Sequence, residues 1–375
     1  MLAKELLSAQ TAGSARLPEH LHRSVGFRLC HAVLESCAWL LAVGYYSASS
    51  SPSQTKSRIA DPQKVPIIEP APWRHQYFDH IPCPPDLHIP TDDPEAWEWN
   101  PAHRWVFDKL QVALSQGLAA GPHGTMPPGF PVFSKPIMNF RGLGAGSRIL
   151  RSAEEYDEHH TAGHFWMTLL AGEHISSDVA LVDGEPMWWR HATGLATGEG
   201  MFDRWTIHAA HNPTLEARCG AWIRNNLRGF TGILNLETIG GTIIEAHLRL
   251  SDQWPDLYGR GWAEAFVGLY RDKVWHYPDH DRRDGFSIVL CGPWGRRYRH
   301  PPAELVAEVA AMPGVSSVQI TFHEHKAPER HSMPPGGFRV AIVNAFDLAK
   351  GEAAREMLRA HFLGDEPAVN VTRAG

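Results

Sequence analysis

Charged residues close to residue 240 have the spacing of a metal site. Glu237 lies in one β-rich run, and Glu245 and His247 lie in the next, beyond a glycine pair at 240–241. A tight turn at two glycines favours a hairpin, which would put Glu237 beside Glu245. Alternate residues of a strand share a face, so His247 and Arg249 are expected to point the same way as Glu245.

Two carboxylates side by side on a sheet repel each other unless a cation or a proton lies between them. A hard divalent ion such as Mg²⁺ is therefore expected at Glu237 and Glu245. A solvated hairpin face is the alternative interpretation. Apolar residues flank the charges and indicate burial on at least one side; they are Ile243, Ile244, Leu248 and Leu250.

Lys135 and the glycines that follow it could hold phosphate groups. The lysine ends a short apolar strand, and the segment Arg141-Gly-Leu-Gly-Ala-Gly-Ser147 begins shortly after it. Glycines let an anion approach backbone N–H groups closely, and a lysine supplies positive charge. The segment lacks both the Gly-Lys-Ser/Thr of a Walker loop and the long apolar helix of a dinucleotide-binding loop. A simple glycine-rich turn is the alternative.

Length and charge limit the classes of function. The 375 residues exceed what one hydrophobic core usually holds, which indicates two or three domains. The net charge of −6 disfavours nucleic acid as a ligand. The 5 cysteines include no C-x-x-C pair, which is typical of a reduced, cytoplasmic protein. The long apolar run at residues 29–46 contains His31 and Glu35, so a buried helix is expected there and not a membrane span.

Composition and periodicity divide the chain into four parts. Residues 1–60 are expected to be a helical N-terminal segment, and the proline-rich residues 61–100 a wrap or linker. Residues 101–275 are expected to form the main core. Residues 276–375 alternate strand and helix patterns, which predicts a separate C-terminal α+β lobe.

Local signals predict several elements of the core. Asn100 and Pro101 are expected to start a helix that Gly117 ends. Ser152 stands three residues before Glu155, which is the spacing of a capping box. A strand pair is expected at residues 164–170 and 175–182, with hairpin turns at 183–184 and 240–241.

Taken in order, these residues resemble a known family. Lys109 lies on a helix, Lys135 precedes the glycine-rich segment, Gly172-Glu-His-Ile-Ser-Ser-Asp178 follows, and the series ends with Glu237 and Glu245-x-His247-x-Arg249. This series resembles the ATP-grasp superfamily over residues 95–260. The resemblance implies an α+β, two-lobed ATP-grasp-like fold, with an additional C-terminal α+β lobe and a reduced N-terminal region. Residues 101–275 would then be the nucleotide-binding core.

The resemblance also implies roles for single residues. Nucleotide contacts are expected from Lys109, Lys135, Gly142, Gly144, Gly146, Glu173 and His174. The implied metal ligands are Glu237, Glu245 and His247. The implied catalytic residues are Lys135 and Arg249, with the arginine steadying the transferring phosphoryl group.

Two positions depart from the family's pattern. His247 stands where the family usually has Asn. Imidazole is a poorer Mg²⁺ ligand than an oxygen donor, so Mn²⁺ is an alternative metal and a phosphate contact an alternative role for His247. The acid that many members use to hold the nucleoside is missing from residues 165–170, which leaves Glu173 or His174 as substitutes.

The activity that the resemblance implies is ligation. ATP and Mg²⁺ would activate a small carboxylate as an acyl phosphate for attack by an amine, with release of ADP. The alternatives are an ATP-binding sensor or scaffold of the same fold, or a phosphotransferase. The expected partners are small-molecule carboxylates and amines, with no nucleic acid and no membrane, and self-association is left open.

Overall fold

The computed structural model describes residues 67–68, 70–140, 144–198 and 200–364. These residues belong to one compact unit, 61–375. The helical segment expected at residues 1–60 lies outside the described residues. Within the described ranges, every helix is too short or too polar to cross a membrane.

The described residues contain fourteen strands and seven α-helices. The strands are β1 Ile67–Ile68, β2 Ile89–Pro90, β3 Ala120–Pro122, β4 Val132–Pro136, β5 Arg148–Leu150, β6 His164–Thr168, β7 His174–Val182, β8 Glu185–Gly198, β9 Met201–His208, β10 Gly232–Ile239, β11 Thr242–His247, β12 Gly285–Gly292, β13 Val315–Ile320 and β14 Phe338–Ala345. The α-helices are α1 Asp93–Trp99, α2 Lys109–Ser115, α3 Ala153–Glu158, α4 Pro213–Asn226, α5 Trp262–Asp272, α6 Ala303–Ala310 and α7 Leu348–Leu363.

The larger sheet has eight antiparallel strands in the order β11-β10-β7-β8-β9-β12-β14-β13. Successive residues of a strand point to opposite faces of the sheet. At the centre of this sheet both faces are buried. Val179 and Leu181 of β7 pack with Ile223 of helix α4 on one face. Ala180 packs on the other face, in the cluster that contains Phe266 of helix α5. This double burial explains the nearly continuous apolar run at the end of β7.

The smaller sheet has four strands in the order β3-β6-β4-β5. Helix α2 packs Leu110 and Ala113 against Phe165 and Met167 of β6. Ile244 of β11 packs against the same cluster, so the hairpin at 240–241 touches the smaller lobe. The two-lobed α+β fold that the sequence predicts is present, and this hairpin lies where the two lobes meet.

The strand pair predicted at residues 164–170 and 175–182 is wrong as a pair. Strand β6 lies in the smaller sheet and β7 in the larger one, so the residues between them connect the lobes. The turn at 183–184 does form a hairpin, in which Val182 of β7 pairs with Glu185 of β8. Because β8 and β9 were not predicted, β6 was the predicted strand nearest to β7 in the sequence, which made it the expected partner of β7.

Residues 276–375 also differ from the separate lobe that the sequence predicts. Their strands and helices are α+β as expected, but β12 pairs with β9, with Gly285 opposite Ile207 and Ile288 opposite Arg204. Strands β12, β14 and β13 therefore continue the larger sheet. This pairing covers the backbone edge of β9, which would otherwise be an open sheet edge.

Two helix starts differ from the prediction at Asn100 and Pro101. Asn100 ends helix α1, and helix α2 begins after Asp108, whose carboxylate accepts from the N–H of Gln111 at 2.9 Å. Helix α1 lies inside the expected linker, with Asp92 as its N-cap. The physical reason is that an aspartate followed by a first-turn proline starts a helix as well as an asparagine does.

The hairpin at 240–241 is confirmed. Gly240 and Gly241 adopt positive φ angles of 56° and 78°, which L-residues with side chains rarely adopt. Gly240 also lies against the segment that connects the lobes: a Cβ added there would overlap the carbonyl oxygen of Ala171. The turn and the connection between the lobes therefore pack backbone against backbone.

We expect Gly240→Ala to lower the free energy of unfolding more than Gly117→Ala does. Both positions have positive φ, but a Cβ at Gly117 would meet nothing within 4 Å, so only the Gly240 variant adds an overlap to the backbone strain. The expected difference is about 1–3 kcal/mol, measured by urea unfolding. Equal losses in the two variants would contradict the proposed close packing.

Candidate functional site

Three side chains of the types that can ligate a metal meet on the β10–β11 hairpin. Glu237 and Glu245 are directly opposite each other, and Asn235 is opposite His247. One ligand atom from each of Glu237, Glu245 and His247 lies within 4.8 Å of the other two. The sequence predicted this meeting because both the turn position and the face of β11 could be read from the residues.

Two buried lysines from other elements reach the same carboxylate. Lys109 is the first residue of α2, and its Nζ lies 2.6 Å from Oε1 of Glu245. Lys135 is on β4, with its Nζ 3.9 Å from the same oxygen. Lys135 also donates to the carbonyl oxygen of Ile244 at 2.8 Å. Burial, together with the nearby charge of Lys109, lowers the pKa of Lys135 to about 8, although Glu245 opposes the shift.

Glu237 has a partner of its own. Nε2 of His174, the first residue of β7, lies 3.2 Å from Oε2 of Glu237. Burial opposes ionisation of Glu237, but this hydrogen bond and the nearby positive charges outweigh it and lower its pKa. The same hydrogen bond raises the pKa of His174 against the effect of its burial. The carboxylate of Glu237 is therefore ionised at neutral pH.

Asp93 of helix α1 lies behind the cluster, and its carboxylate binds the side chains of His247 and Arg249. Its carboxylate oxygens lie 3.0 and 3.1 Å from Nδ1 of His247. The same carboxylate lies 2.8 Å from Nε of Arg249 and accepts from Nη2 at 3.1 Å. Although burial raises the pKa of Asp93, Arg249 and His247 outweigh burial and hold it well below its usual range. With Nδ1 engaged, Nε2 of His247 faces Glu245 Oε2 at 3.6 Å.

Sequence reasoning missed Asp93. Its partners are 154 and 156 residues away in the chain, and no local pattern reports such a contact. The helix-start signal at Asp92 and Pro94 could have shown that Asp93 is an ordered residue in the expected linker. It could not have shown which residues Asp93 contacts.

A second buried carboxylate, Asp178 of β7, holds the chain that leaves β11. It accepts from the Asn235 side chain at 2.8 Å, from the N–H of Ser251 at 2.9 Å and from the hydroxyl of Tyr258 at 2.7 Å. Burial raises the pKa of Asp178 to about 6 despite these hydrogen bonds. Asp178 therefore fixes the loop that follows Arg249.

The cluster lies in the wall of a cavity of about 710 Å³, within the usual range for a small-molecule site. Its lining comes from both lobes. Phe133, Ile149 and Met167 of the smaller sheet form an apolar surface beside Lys135. The larger sheet, helix α1 and the loop after β11 supply further parts of the wall, including Arg249 and Asp93.

The structure brings together most of the expected site residues. Lys135, His174, Glu237, Glu245, His247, Arg249 and Gly144 line the cavity, and Lys109 contacts Glu245 from behind. Gly144 and Gly146 have positive φ angles of 65° and 79°, and Gly142 lies outside the described residues. Glu173 is exposed and does not line the cavity, because it precedes β7 in the turn where its carbonyl accepts from the N–H of Gly240.

Comparison with known proteins identifies the fold. No protein-family model matches the chain, and no curated protein matches it. The L-amino acid ligase from Bacillus licheniformis is similar in structure, with a TM-score of 0.51 and 13% identity over 76% of this chain and 81% of the ligase. The N5-carboxyaminoimidazole synthase from Aspergillus clavatus, solved with ADP and 5-aminoimidazole ribonucleotide, also gives a TM-score of 0.51, with 10% identity over 73% of this chain and 81% of that one.

Phosphoribosylglycinamide synthetase from Anaerococcus prevotii is a third match, with a TM-score of 0.51 and 9% identity over 74% of this chain and 82% of that one. Matches of this kind place the chain in the ATP-grasp fold, as the residue pattern predicted. At such low identity the likeness concerns the fold and not the substrates.

We expect Asp93→Asn to destabilise the protein by about 3–5 kcal/mol at pH 7, because Arg249 and His247 lose a buried counter-charge. The folded pKa of Asp93 lies below its unfolded value of about 3.9, so its contribution is complete above that pH and declines below it. Urea unfolding at pH 7 and at pH 3.5 should therefore show a smaller difference between wild type and variant at the lower pH.

Asp92→Asn is the matched control for this comparison. It removes the same charge from the neighbouring residue but retains an N-cap side chain, so a change within about 0.5 kcal/mol is expected. Similar losses in both variants, or a loss in Asp93→Asn that is the same at the two pH values, would contradict the assigned role.

Proposed function

We propose that this protein is an ATP- and Mg²⁺-dependent ligase that activates a small carboxylate as an acyl phosphate for attack by an amine. The observation that carries the proposal is the meeting of Glu237, Glu245 and His247 in one cavity wall with two buried lysines, Lys135 in the wall and Lys109 behind Glu245. Adjacent acids suit divalent cations, and buried lysines suit phosphate groups. Phosphoryl transfer from ATP needs both in one place.

The residues present fit a bound divalent ion. Two carboxylates and an imidazole converge, and the imidazole is oriented by a carboxylate on its other nitrogen, as is usual for metal-bound histidine. The oxygen donors favour Mg²⁺, and the nitrogen donor keeps Mn²⁺ as an alternative. When bound, ATP and the ion supply the phosphoryl group and neutralise its negative charge.

Each residue has a defined part in this proposal. Lys109 and Lys135 bind phosphate oxygens; with a pKa of about 8, Lys135 is mostly protonated at pH 7. Arg249 steadies the transferring phosphoryl group, and Asp93 holds its guanidinium in position. Gly142, Gly144 and Gly146 are proposed to cover the phosphates with their backbone N–H groups. His174 is proposed to contact the nucleotide, as its position beside Glu237 allows.

The proposed reaction has two steps. A carboxylate oxygen attacks the γ-phosphorus, the bond from that phosphorus to the bridging oxygen breaks, and ADP leaves. An amine nitrogen then attacks the acyl carbon, phosphate leaves, and the amine loses a proton as the amide forms. Both steps need only electrostatic stabilisation and positioning of the reactants. The charged side chains of the site can supply these, and neither step needs an activated nucleophile from the protein.

The structural relatives support the class of reaction. The matched structures carry the names of ligases and synthetases, and one of them is solved with ADP. These names describe those proteins, and fold likeness alone does not transfer a substrate. The support for this chain therefore rests on its own acids, lysines and arginine.

The test is carboxylate-dependent release of ADP, with hydroxylamine as the trapping amine and hydroxamate as the measured product. Glu245→Gln and Lys135→Ala should each lower hydroxamate formation by at least about 100-fold, because each removes a charge next to the proposed phosphate site. Glu185→Gln is the control, since Glu185 is exposed and pairs with Arg224 at the surface. Reactions with Mg²⁺ and with Mn²⁺ compare the two metals.

Full ATP turnover in both site variants would rule out the assigned site. Stabilisation of the protein by ATP without ADP formation, across a broad screen of acids and amines, would instead identify a sensor or scaffold. A stable phosphorylated product without ligation would identify a phosphotransferase.

A further inference from the structure

Beyond Glu237, the cavity has an aromatic wall. The ring of His174, which binds Glu237, lies 6.0 Å from the ring of Phe202 and 5.7 Å from that of Trp205. The Phe202 and Trp205 rings are 4.4 Å apart, and Trp254 follows 5.3 Å from Trp205. All four side chains line the cavity. A ligand that reaches past Glu237 therefore meets an apolar, aromatic surface.

The lining of the same cavity also carries arginine side chains. Arg339 of β14 lines it, and the buried Nε of Arg339 has no hydrogen-bond partner. Arg74 lines the same region and pairs with Asp252. Cys291 is opposite Arg339 on β12 and also lines the cavity. An arginine whose buried donor lacks an acceptor loses free energy that an anionic ligand can restore.

Arg339 differs from the other cations of the cavity wall in its lack of a carboxylate partner among the described residues. Lys135 lies close to Glu245, Arg249 is held by Asp93, and Arg74 by Asp252. Among the described residues, no carboxylate is paired with Arg339. Asp252 acts electrostatically on both Arg249 and Arg339, so this unpaired cation lies near the proposed reaction centre.

The nucleotide base has a different surface available. Phe133, Ile149 and Met167 lie on the smaller sheet, where β4 also carries Lys135. A base on that apolar surface leaves the wall of Phe202 and Trp254 for the second substrate. The aromatic wall and Arg339 then lie together on the larger sheet and the loop after β11.

We propose that the acceptor of this ligase is an amine that carries both a carboxylate and a bulky apolar or aromatic group. The carboxylate binds Arg339, and the apolar group packs against Phe202, Trp205 and Trp254. The inference rests on the proposed ligase function and adds the class of its amine substrate. An aromatic α-amino acid has the required chemistry.

Three probes separate the two parts of this site. L-phenylalanine has a ring and a carboxylate, 2-phenylethylamine has the ring alone, and glycine has the carboxylate alone. Binding of each probe to the full chain is measured by calorimetry, with a non-hydrolysable ATP analogue and Mg²⁺ present. We expect L-phenylalanine to bind at least about tenfold more tightly than either of the others.

Variants assign each preference to a residue. Arg339→Gln should weaken L-phenylalanine binding at least about tenfold and abolish its advantage over 2-phenylethylamine, while Arg339→Lys should retain part of that advantage. Phe202→Ala should weaken binding of both ring compounds and leave glycine unchanged. Arg271→Gln is the matched control, because Arg271 is exposed and pairs with its neighbour Asp272. Thermal unfolding checks that every variant is folded.

Several outcomes would overturn the proposal. The first is that the wild type binds the ATP analogue but not L-phenylalanine. The second is that Arg339→Gln keeps the full preference for L-phenylalanine over 2-phenylethylamine. The third is that Phe202→Ala loses binding of the ATP analogue, which would assign the aromatic wall to the base. The hydroxamate assay separates the two claims. Hydroxamate formation without L-phenylalanine binding overturns only the acceptor class, whereas L-phenylalanine binding without ADP release from any acid overturns only the ligase function.

Discussion

Compensation of negative charge on the β10–β11 hairpin is the constraint on which the site depends. Glu237 and Glu245 face each other across two strands, an arrangement that costs free energy unless positive charge is close. The compensation comes from separate elements: Lys109 from α2, Lys135 from β4 and His174 from β7. Since α2 and β4 belong with the smaller lobe and β7 with the larger sheet, the cluster ties the two lobes together. The apolar contact of Ile244 with the smaller lobe adds to the same joint.

A second layer of carboxylates positions the first. Asp93 holds His247 and Arg249, and Asp178 holds Asn235 together with the loop that follows Arg249. Each of these acids is almost fully buried, and its oxygens accept hydrogen bonds from protein donors. They are therefore poor metal ligands, but they hold the neighbouring side chains in position. The geometry of the cluster thus depends on residues that would not touch a substrate.

Sequence signals from neighbouring residues predicted much of the fold and of the site. The cap at Ser152 and the glycine turn at 240–241 formed as predicted, since each depends on residues within a few positions of one another. Strand β8 could not be read because its centre carries Arg190 and His191, which are buried through distant partners: the carbonyl oxygen of Arg283 and the carboxylate of Glu216. Because β9 was not predicted, the sequence showed no strand to which the last three strands could pair. They were therefore expected to form a separate lobe. The contacts of Asp93 and the position of Arg339 also depend on residues far away in the sequence, so they were not predicted.

The order of strands in the larger sheet bears on how the chain emerges from the ribosome. In the folded sheet one edge of β9 pairs with β8, its neighbour in the sequence, and the other edge pairs with residues 285–288, which are synthesised later. During synthesis, a nascent chain therefore exposes an unpaired strand edge for about the time needed to add 77 residues, from His208 to Gly285. An open edge of this kind is a template for pairing with other chains, so prompt docking of β12 protects the protein from aggregation. The continuous sheet that joins the C-terminal strands to the core thus closes the second edge of β9 as well as forming part of the cavity wall.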